Sequence, residues 1–190
     1  MTTAHFYDEL NYVNHTRVKR LLYANLVLDQ PELFPKLLEI TFMVDNEIST
    51  KAAWILEFVC NKNLELLAPH FDLFTLNIKK VYLDSSVRPI AKICELLAKA
   101  YFSKTAEVIK NNLTEIHIER IIETCFDYLI NDEKVAPKAS AMTTLFLFGK
   151  KHDWVYPELT LIINRDFSHQ SAAYKARAKQ IMTKIKKTKN

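Results

Sequence analysis

The segment Ile48-Ser-Thr-Lys-Ala-Ala-Trp-Ile-Leu56 has a plan that returns three more times along the chain. A β-branched or small residue comes first, a proline or polar residue follows, and then Lys or Ile precedes an alanine. The other copies are Val87-Arg-Pro-Ile-Ala-Lys-Ile-Cys94, Val135-Ala-Pro-Lys-Ala-Ser-Ala-Met142 and Ala172-Ala-Tyr-Lys-Ala-Arg-Ala-Lys179. Their first residues are separated by 39, 48 and 37 positions. Self-similarity at such a period is typical of helical repeat proteins.

Each copy carries an alanine at the matching place, where a small side chain lets two helices approach closely. These alanines are Ala52, Ala91, Ala139 and Ala176. A weaker fifth copy lies at 16–28, and the longest interval is explained if 103–112 is an insertion between units. The segment before each copy supplies an aliphatic partner face, so the sequence predicts a series of antiparallel helix pairs.

Apolar residues recur at i, i+3, i+4 and i+7 over most of the chain, and polar clusters interrupt them every 12 to 18 residues. Proline and a carboxylate open two of the runs, at Pro31-Glu32 and Pro157-Glu158, as in a first helical turn. The pattern predicts helices at 4–12, 16–28, 31–44, 48–62, 69–83, 86–102, 105–112, 115–131, 134–150, 156–165 and 170–186.

Composition supports an all-α fold. The 190 residues are 49% hydrophobic and include one glycine, Gly149, where average usage of about 7% would supply many more. Glycine-rich phosphate loops are excluded, and tight β-hairpin turns lose their usual residue. We expect Gly149 to cap the helix before it, and Trp154 and Tyr156 to fasten the following helix to the core.

The spacing of turn residues resembles that of HEAT-type repeats. An Asp between the two helices of a unit is followed six positions later by a Lys in the second helix, as in Asp45/Lys51 and Asp132/Lys138. Asp84 departs from this pattern, since position 90 is Ile. The resemblance covers about 16–186 and implies one HEAT-like domain over 1–190, an α-α superhelix of about five helical hairpins.

The chain is also similar to small stand-alone bacterial proteins of an α-α superhelix family, some of which carry an adenylosuccinate lyase label. Lyases of that superfamily use a flexible Gly-Ser-Ser loop, and this sequence has no such motif. Adenylosuccinate-lyase activity is therefore the least favoured of the functions considered.

Second helices of HEAT-like units line a concave groove, and five residues there are binding candidates. They are Trp54, Glu57, Arg88, Lys92 and Glu95. Glu57 and Glu95 interrupt apolar runs, so each carboxylate either pairs with a cation or has a raised pKa. One interpretation is that both pair with cations of the next unit and hold the stack together. The other is that they recognise a ligand with Trp54 and Arg88.

The basic C-terminal end, 170–190, is the second candidate site. It contains seven Lys or Arg and no acid, whereas 1–169 holds 19 bases and 22 acids. The seven are Lys175, Arg177, Lys179, Lys184, Lys186, Lys187 and Lys189. On a helix from 170, we expect Ala172, Ala176, Ile181 and Ile185 to face inward. The exposed bases either form a solvated terminal cap or bind phosphates.

The remaining residues indicate no chemistry of their own. Cys60, Cys94 and Cys125 form no C-x-x-C pair, and the six histidines show no H-E-x-x-H spacing, so neither a metal nor a cofactor is expected. The absence of a signal sequence or a long uncharged stretch predicts a cytoplasmic protein without a membrane span.

The sequence therefore favours a non-enzymatic scaffold that binds a protein partner through its concave face. Nucleic-acid binding is the alternative. It is favoured if Arg88, Lys92, Arg177 and Lys179 form one continuous basic surface.

Overall fold

The computed structural model describes residues 2–188, which form eleven α-helices joined by short loops and 3-10 turns, with no strand in that range. The all-α prediction is confirmed. The helices α1 to α11 span Thr3–Glu9, Arg17–Asp29, Phe34–Thr41, Glu47–Lys62, Phe71–Asn77, Asp84–Tyr101, Glu107–Asn112, Glu115–Ile130, Val135–Phe148, Val155–Asp166 and Ala172–Thr188.

Side-chain caps fix several helix starts. Thr16 accepts a hydrogen bond from the backbone N–H of Lys19, and Asn46 accepts one from Ile48. The predicted helix 69–83 is shorter than expected, because 64–70 and 78–80 are 3-10 turns around α5. Pro69 explains the late start, since a proline lacks the N–H and restricts the residue before it.

Five helices pack side by side in chain order. Helix α4 contacts α2 and α6, α6 contacts α9, and α9 contacts α11; we call these five helices the central row. Further helices pack against this row. Helix α3 packs on α4, α8 packs on α9, and α10 packs on both α9 and α11. Helix α7, within the predicted insertion, packs on α6 and on the turn 64–70.

Four helices of the central row, α4, α6, α9 and α11, bury residues at the same relative positions, i, i+4, i+7 and i+11. Ile48, Ala52, Ile55 and Val59 of α4 are buried, and so are the residues 38 positions later in α6. In α9 the equivalent buried residues lie a further 51 positions along the chain, from Pro137 to Phe148. In α11 they lie 37 positions beyond those, from Tyr174 to Ile185. The additional residues before α9 include α7.

This register corrects the alignment of the four alanines. Ala52 and Ala91 are fully buried, but Ala139 is half-buried and Ala176 is exposed. In the last helix, Tyr174 and Ala178 are buried with Ile181 and Ile185, whereas Ala172 is exposed. The predicted inward face was therefore wrong at two of its four positions, because the tyrosine at 174 takes the core position.

Three of the four Asp and Lys residues that carried the repeat resemblance bond to groups outside their own pair. Asp45 accepts a hydrogen bond from the Tyr82 hydroxyl at 2.9 Å, and Lys51 donates to the Asn11 carbonyl at 2.9 Å. Lys138 is buried and donates to the Leu129 carbonyl. These contacts tie neighbouring segments together.

Gly149 does follow α9, but its backbone has φ −60°, which any residue can adopt. The glycine is needed because of Tyr156, whose Cε1 would lie 2.3 Å from an added Cβ. Tyr156 is buried, stacks on Phe146 and donates to the Phe146 carbonyl at 3.1 Å. Trp154 is half exposed and stacks on Phe126. Close packing therefore explains the single glycine.

No helix within 2–188 is both long and apolar enough to cross a membrane.

Candidate functional site

Charge separates between the two sets of helices. The central row carries fifteen Lys or Arg and five Asp or Glu, a net charge of +10. Helices α1, α3, α5, α8 and α10 carry three bases and ten acids, a net charge of −7. Counting along the chain indicated that the excess of basic residues lies at the C-terminal end. Grouped by helix contacts, the excess extends over the whole central row.

Trp54 is held against α6 through its indole N–H, which donates to the Ser85 carbonyl at 2.9 Å. That carbonyl would ordinarily accept from the residue four positions on in the helix, which is Pro89. Because proline has no backbone N–H, the carbonyl remains available to the indole. The proline in the repeated segment thereby sets the position of Trp54.

Arg20 of α2 covers the same indole. Its guanidinium carbon lies 5.5 Å from the centroid of Trp54 and 5.3 Å from that of Phe58. The guanidinium also donates to the backbone carbonyls of His15 and Thr16, and these bonds do not neutralise its charge. Sequence reasoning did not identify Arg20, since only the fold brings α2 beside α4.

Glu57 pairs with Arg88 of the next helix in the row, at 3.3 Å between Oε2 and Nη2. This contact is the one that the first interpretation of the carboxylate expects. Burial raises the pKa of Glu57 above its usual value, and the charges of Arg88, Arg20 and Lys92 oppose that shift without reversing it.

Glu95 is held differently, because its cations come from its own helix. Lys92 Nζ lies 3.1 Å from Oε2, Lys99 bonds to Oε1, and the Ser140 hydroxyl of α9 donates to Oε2 at 2.9 Å. Burial alone would raise the pKa of Glu95, but the bonds from Lys99 and Ser140 and the Lys92 charge lower it below its usual value. The next unit contributes a hydroxyl rather than the expected cation.

The line of contacts continues to the last helix. Arg177 of α11 donates to Thr143 Oγ1 of α9 at 2.9 Å, one turn beyond Ser140. Lys184 and Lys150 both lie over the Phe146 ring, at 5.7 Å. We call the cations along this line the basic strip: Arg20, Arg88, Lys92, Lys99, Lys150, Arg177 and Lys184.

The basic C-terminal end divides into two flanks. Arg177 and Lys184 belong to the basic strip, whereas Lys175 and Lys179 lie over Phe167, each at 5.9 Å. Lys186 and Lys187 are exposed, and Lys189 lies outside the described residues. Four cations were expected to distinguish nucleic-acid binding from a protein scaffold. Three of them, Arg88, Lys92 and Arg177, lie on the basic strip, and Lys179 does not.

A cleft of about 320 Å³ lies at one end of the strip, beside Trp54. The cleft is lined by three cations, Arg20, Arg88 and Lys134, and by Asp84. Asp84 Oδ2 forms an ion pair with Lys134 Nζ at 2.8 Å. A second, more open cavity of about 440 Å³ shares Trp54 with the cleft and is also lined by Thr50, Lys51 and Leu83. The cleft is open and cationic, and suits an anionic group.

Cys94 and Cys125 lie within hydrogen-bonding distance of each other, but the described part of the chain forms no metal-ligating cluster. No group of three or more His, Cys, Asp and Glu within it is placed to hold a metal ion. The three cysteines are buried and free, and burial raises the pKa of the Cys60 and Cys125 thiols.

The chain matches no protein-family model, no curated protein and no solved structure.

Proposed function

We propose that the chain is a HEAT-like α-α superhelix, without enzymatic activity, that binds the phosphate backbone of a nucleic acid along its basic strip. The side-by-side packing of α2, α4, α6, α9 and α11 and the pattern of buried positions that the last four of these helices share support the superhelix. In such folds the second helices of successive pairs form one continuous binding surface.

The observation that carries the proposal is the charge of the basic strip, whose seven cations and two carboxylates, Glu57 and Glu95, give a net charge of +5. A surface of one sign attracts a polyanion over its whole length, and binding releases the counterions condensed on the phosphates. Glu57 and Glu95 offset part of this charge, since Arg88 pairs with Glu57 while Lys92 and Lys99 pair with Glu95, but seven cations against two carboxylates still leave the strip positive.

A protein-interaction scaffold is the second candidate, and the same strip favours it. An acidic helix or loop of a partner would meet the same cations, and the ring of Phe58 beneath Arg17 and Arg20 provides apolar contact area. Nucleic acid ranks first because the strip extends from α2 to α11, with cations on α2, α6 and α11 and Lys150 just after α9, although Lys179 lies off it.

Fluorescence anisotropy with labelled duplex and single-stranded DNA and RNA, at about 50 and 200 mM salt, tests the proposal. Helix α11 offers a matched pair of double variants. Arg177→Gln with Lys184→Gln removes two charges from the strip, whereas Lys175→Gln with Lys179→Gln removes two charges from the opposite flank of the same helix.

We expect micromolar binding at low salt that weakens steeply at 200 mM. The strip variant should bind at least tenfold more weakly and lower the salt slope by about 2, because each phosphate contact contributes about 0.9. The control should stay within about threefold of wild type. Equal losses in both variants, or no binding at low salt, would contradict the proposal, and the second outcome would direct the search to acidic protein partners.

A further inference from the structure

The cleft beside Trp54 differs from the rest of the basic strip because it is a pocket rather than a line of side chains. Its volume of about 320 Å³ is at the lower end of the range for small-ligand sites, roughly 300 to 1,000 Å³. The lining residues come from four helices of the central row or the residues just before them, among them His15, Arg20, Trp54, Ser85, Arg88 and Lys134.

The charged groups of the lining leave a net charge of +2, and the Glu57 carboxylate that pairs with Arg88 reduces it to +1. Arg20, Arg88 and Lys134 contribute three positive charges, and Asp84 contributes the one carboxylate. Lys134 Nζ lies 2.8 Å from Asp84 Oδ2, so these two charges offset each other. Arg88 is paired with Glu57, so Arg20, whose hydrogen-bond partners are neutral carbonyls, supplies most of the positive field inside the cleft.

Both guanidinium groups keep donors for a ligand. Arg20 uses Nε and Nη2 for backbone carbonyls, and Arg88 directs Nη2 to Glu57 while half of its side chain remains exposed. A guanidinium has five N–H donors in a planar fork that matches phosphate oxygens. The remaining donors of two such groups can meet several oxygens of one anion.

We propose that the cleft binds a phosphomonoester group, at the end of a nucleic-acid strand; this inference rests on the proposed function. A terminal phosphate carries close to two charges at neutral pH and three unshared oxygens, whereas an internal diester carries one charge. The cationic lining attracts this dianion more strongly than a singly charged diester, and the indole of Trp54 forms an apolar wall beside it. Internal diesters follow the open part of the strip.

The test compares single strands of about twelve nucleotides that end in a 5′-phosphate, a 3′-phosphate or hydroxyls only, with a fluorophore at the opposite end. Arg20→Gln removes a cation of the cleft. Lys19→Gln removes the neighbouring exposed cation of α2, which does not line it. A Trp154→Phe protein leaves Trp54 as its one tryptophan, so its emission reports on the cleft during titration with inorganic phosphate.

We expect one phosphorylated end to bind roughly tenfold more tightly than the hydroxyl-ended strand, and Arg20→Gln to abolish this ratio while Lys19→Gln keeps it. Trp54 emission should change saturably with phosphate. Equal affinity for the three kinds of strand would overturn the inference about the cleft. If the hydroxyl-ended strand still binds, the proposed function remains supported. A saturable phosphate response without strand binding supports the cleft for a free phosphomonoester and contradicts the proposed function.

Discussion

Glu57 and Glu95 occupy equivalent positions of neighbouring helices, 38 residues apart, yet their surroundings shift their pKa values in opposite directions. Glu57 has one cation in contact, Arg88, so burial prevails and its pKa is raised. Glu95 has two lysines and the Ser140 hydroxyl in contact, and its pKa is lowered. This difference gives two predictions of opposite sign.

Glu95→Gln should destabilise the protein at pH 7. Loss of the charged acceptor weakens bonds from Lys92, Lys99 and Ser140, at a cost of about 2 kcal/mol in the free energy of unfolding. Because the folded pKa is below the unfolded value of about 4.5, this contribution is full above pH 4.5 and is lost as pH falls through the folded pKa. Urea unfolding of both proteins between about pH 3 and 7 measures it. A cost independent of pH would contradict this account.

Glu57→Gln should leave stability unchanged or raise it by up to about 1 kcal/mol at pH 7. A raised folded pKa means that the carboxylate is more favourable in the unfolded chain. Its ionisation therefore destabilises the fold as pH rises through the folded pKa, whereas below the usual value of 4.5 the effect disappears. The same unfolding series tests this. A loss as large as that of Glu95→Gln would show that the Arg88 pair outweighs burial.

Trp54→Phe should cost about 1 kcal/mol, because the Ser85 carbonyl loses its donor. Pro89→Ala supplies a backbone N–H four residues along the helix that can bond to the same carbonyl. In the Pro89→Ala background we expect the loss of unfolding free energy caused by Trp54→Phe to be about half as large. Unfolding of the wild type, both single variants and the double variant gives the coupling free energy. Identical costs in the two backgrounds would separate Pro89 from the position of Trp54.

Gly149→Ala should destabilise the protein by about 1–3 kcal/mol, since the new Cβ would overlap the Tyr156 ring. Tyr156→Leu removes the ring, and in that background Gly149→Ala should cost little. Thermal unfolding of the four proteins in this cycle measures the difference. If Gly149→Ala is harmless in the wild-type background, close packing does not explain the glycine.

The sequence alone was enough to predict the helices, because helix formation depends on local features. Apolar residues at intervals of three and four, and first-turn residues such as Pro157-Glu158, are recognised within one or two turns, and the scarcity of glycine supports the same conclusion. The departures have local causes as well: Pro69 delays α5, and Tyr174 displaces the alanines from the inward face of α11. Three groove candidates, Trp54, Glu57 and Arg88, do lie together.

The charge pattern was present in the sequence but could be recognised only after alternate helices were assigned to one row. Summed along the chain, the bases concentrate after Gln170; summed over α2, α4, α6, α9 and α11, they extend from Arg17 onward. That assignment depends on which helices contact each other, and short periodic patterns do not specify it.

The sequence by itself determined that this chain is helical, where its helices lie and which residues are apolar enough for the core. Tertiary structure decided which carboxylates are neutralised, that Arg20 covers Trp54, and that the C-terminal cations divide between two flanks. The physical reason is range: a helix is stabilised by neighbours three and four residues away, whereas these contacts join residues 30 to 50 positions apart, and only packing brings them within bonding distance.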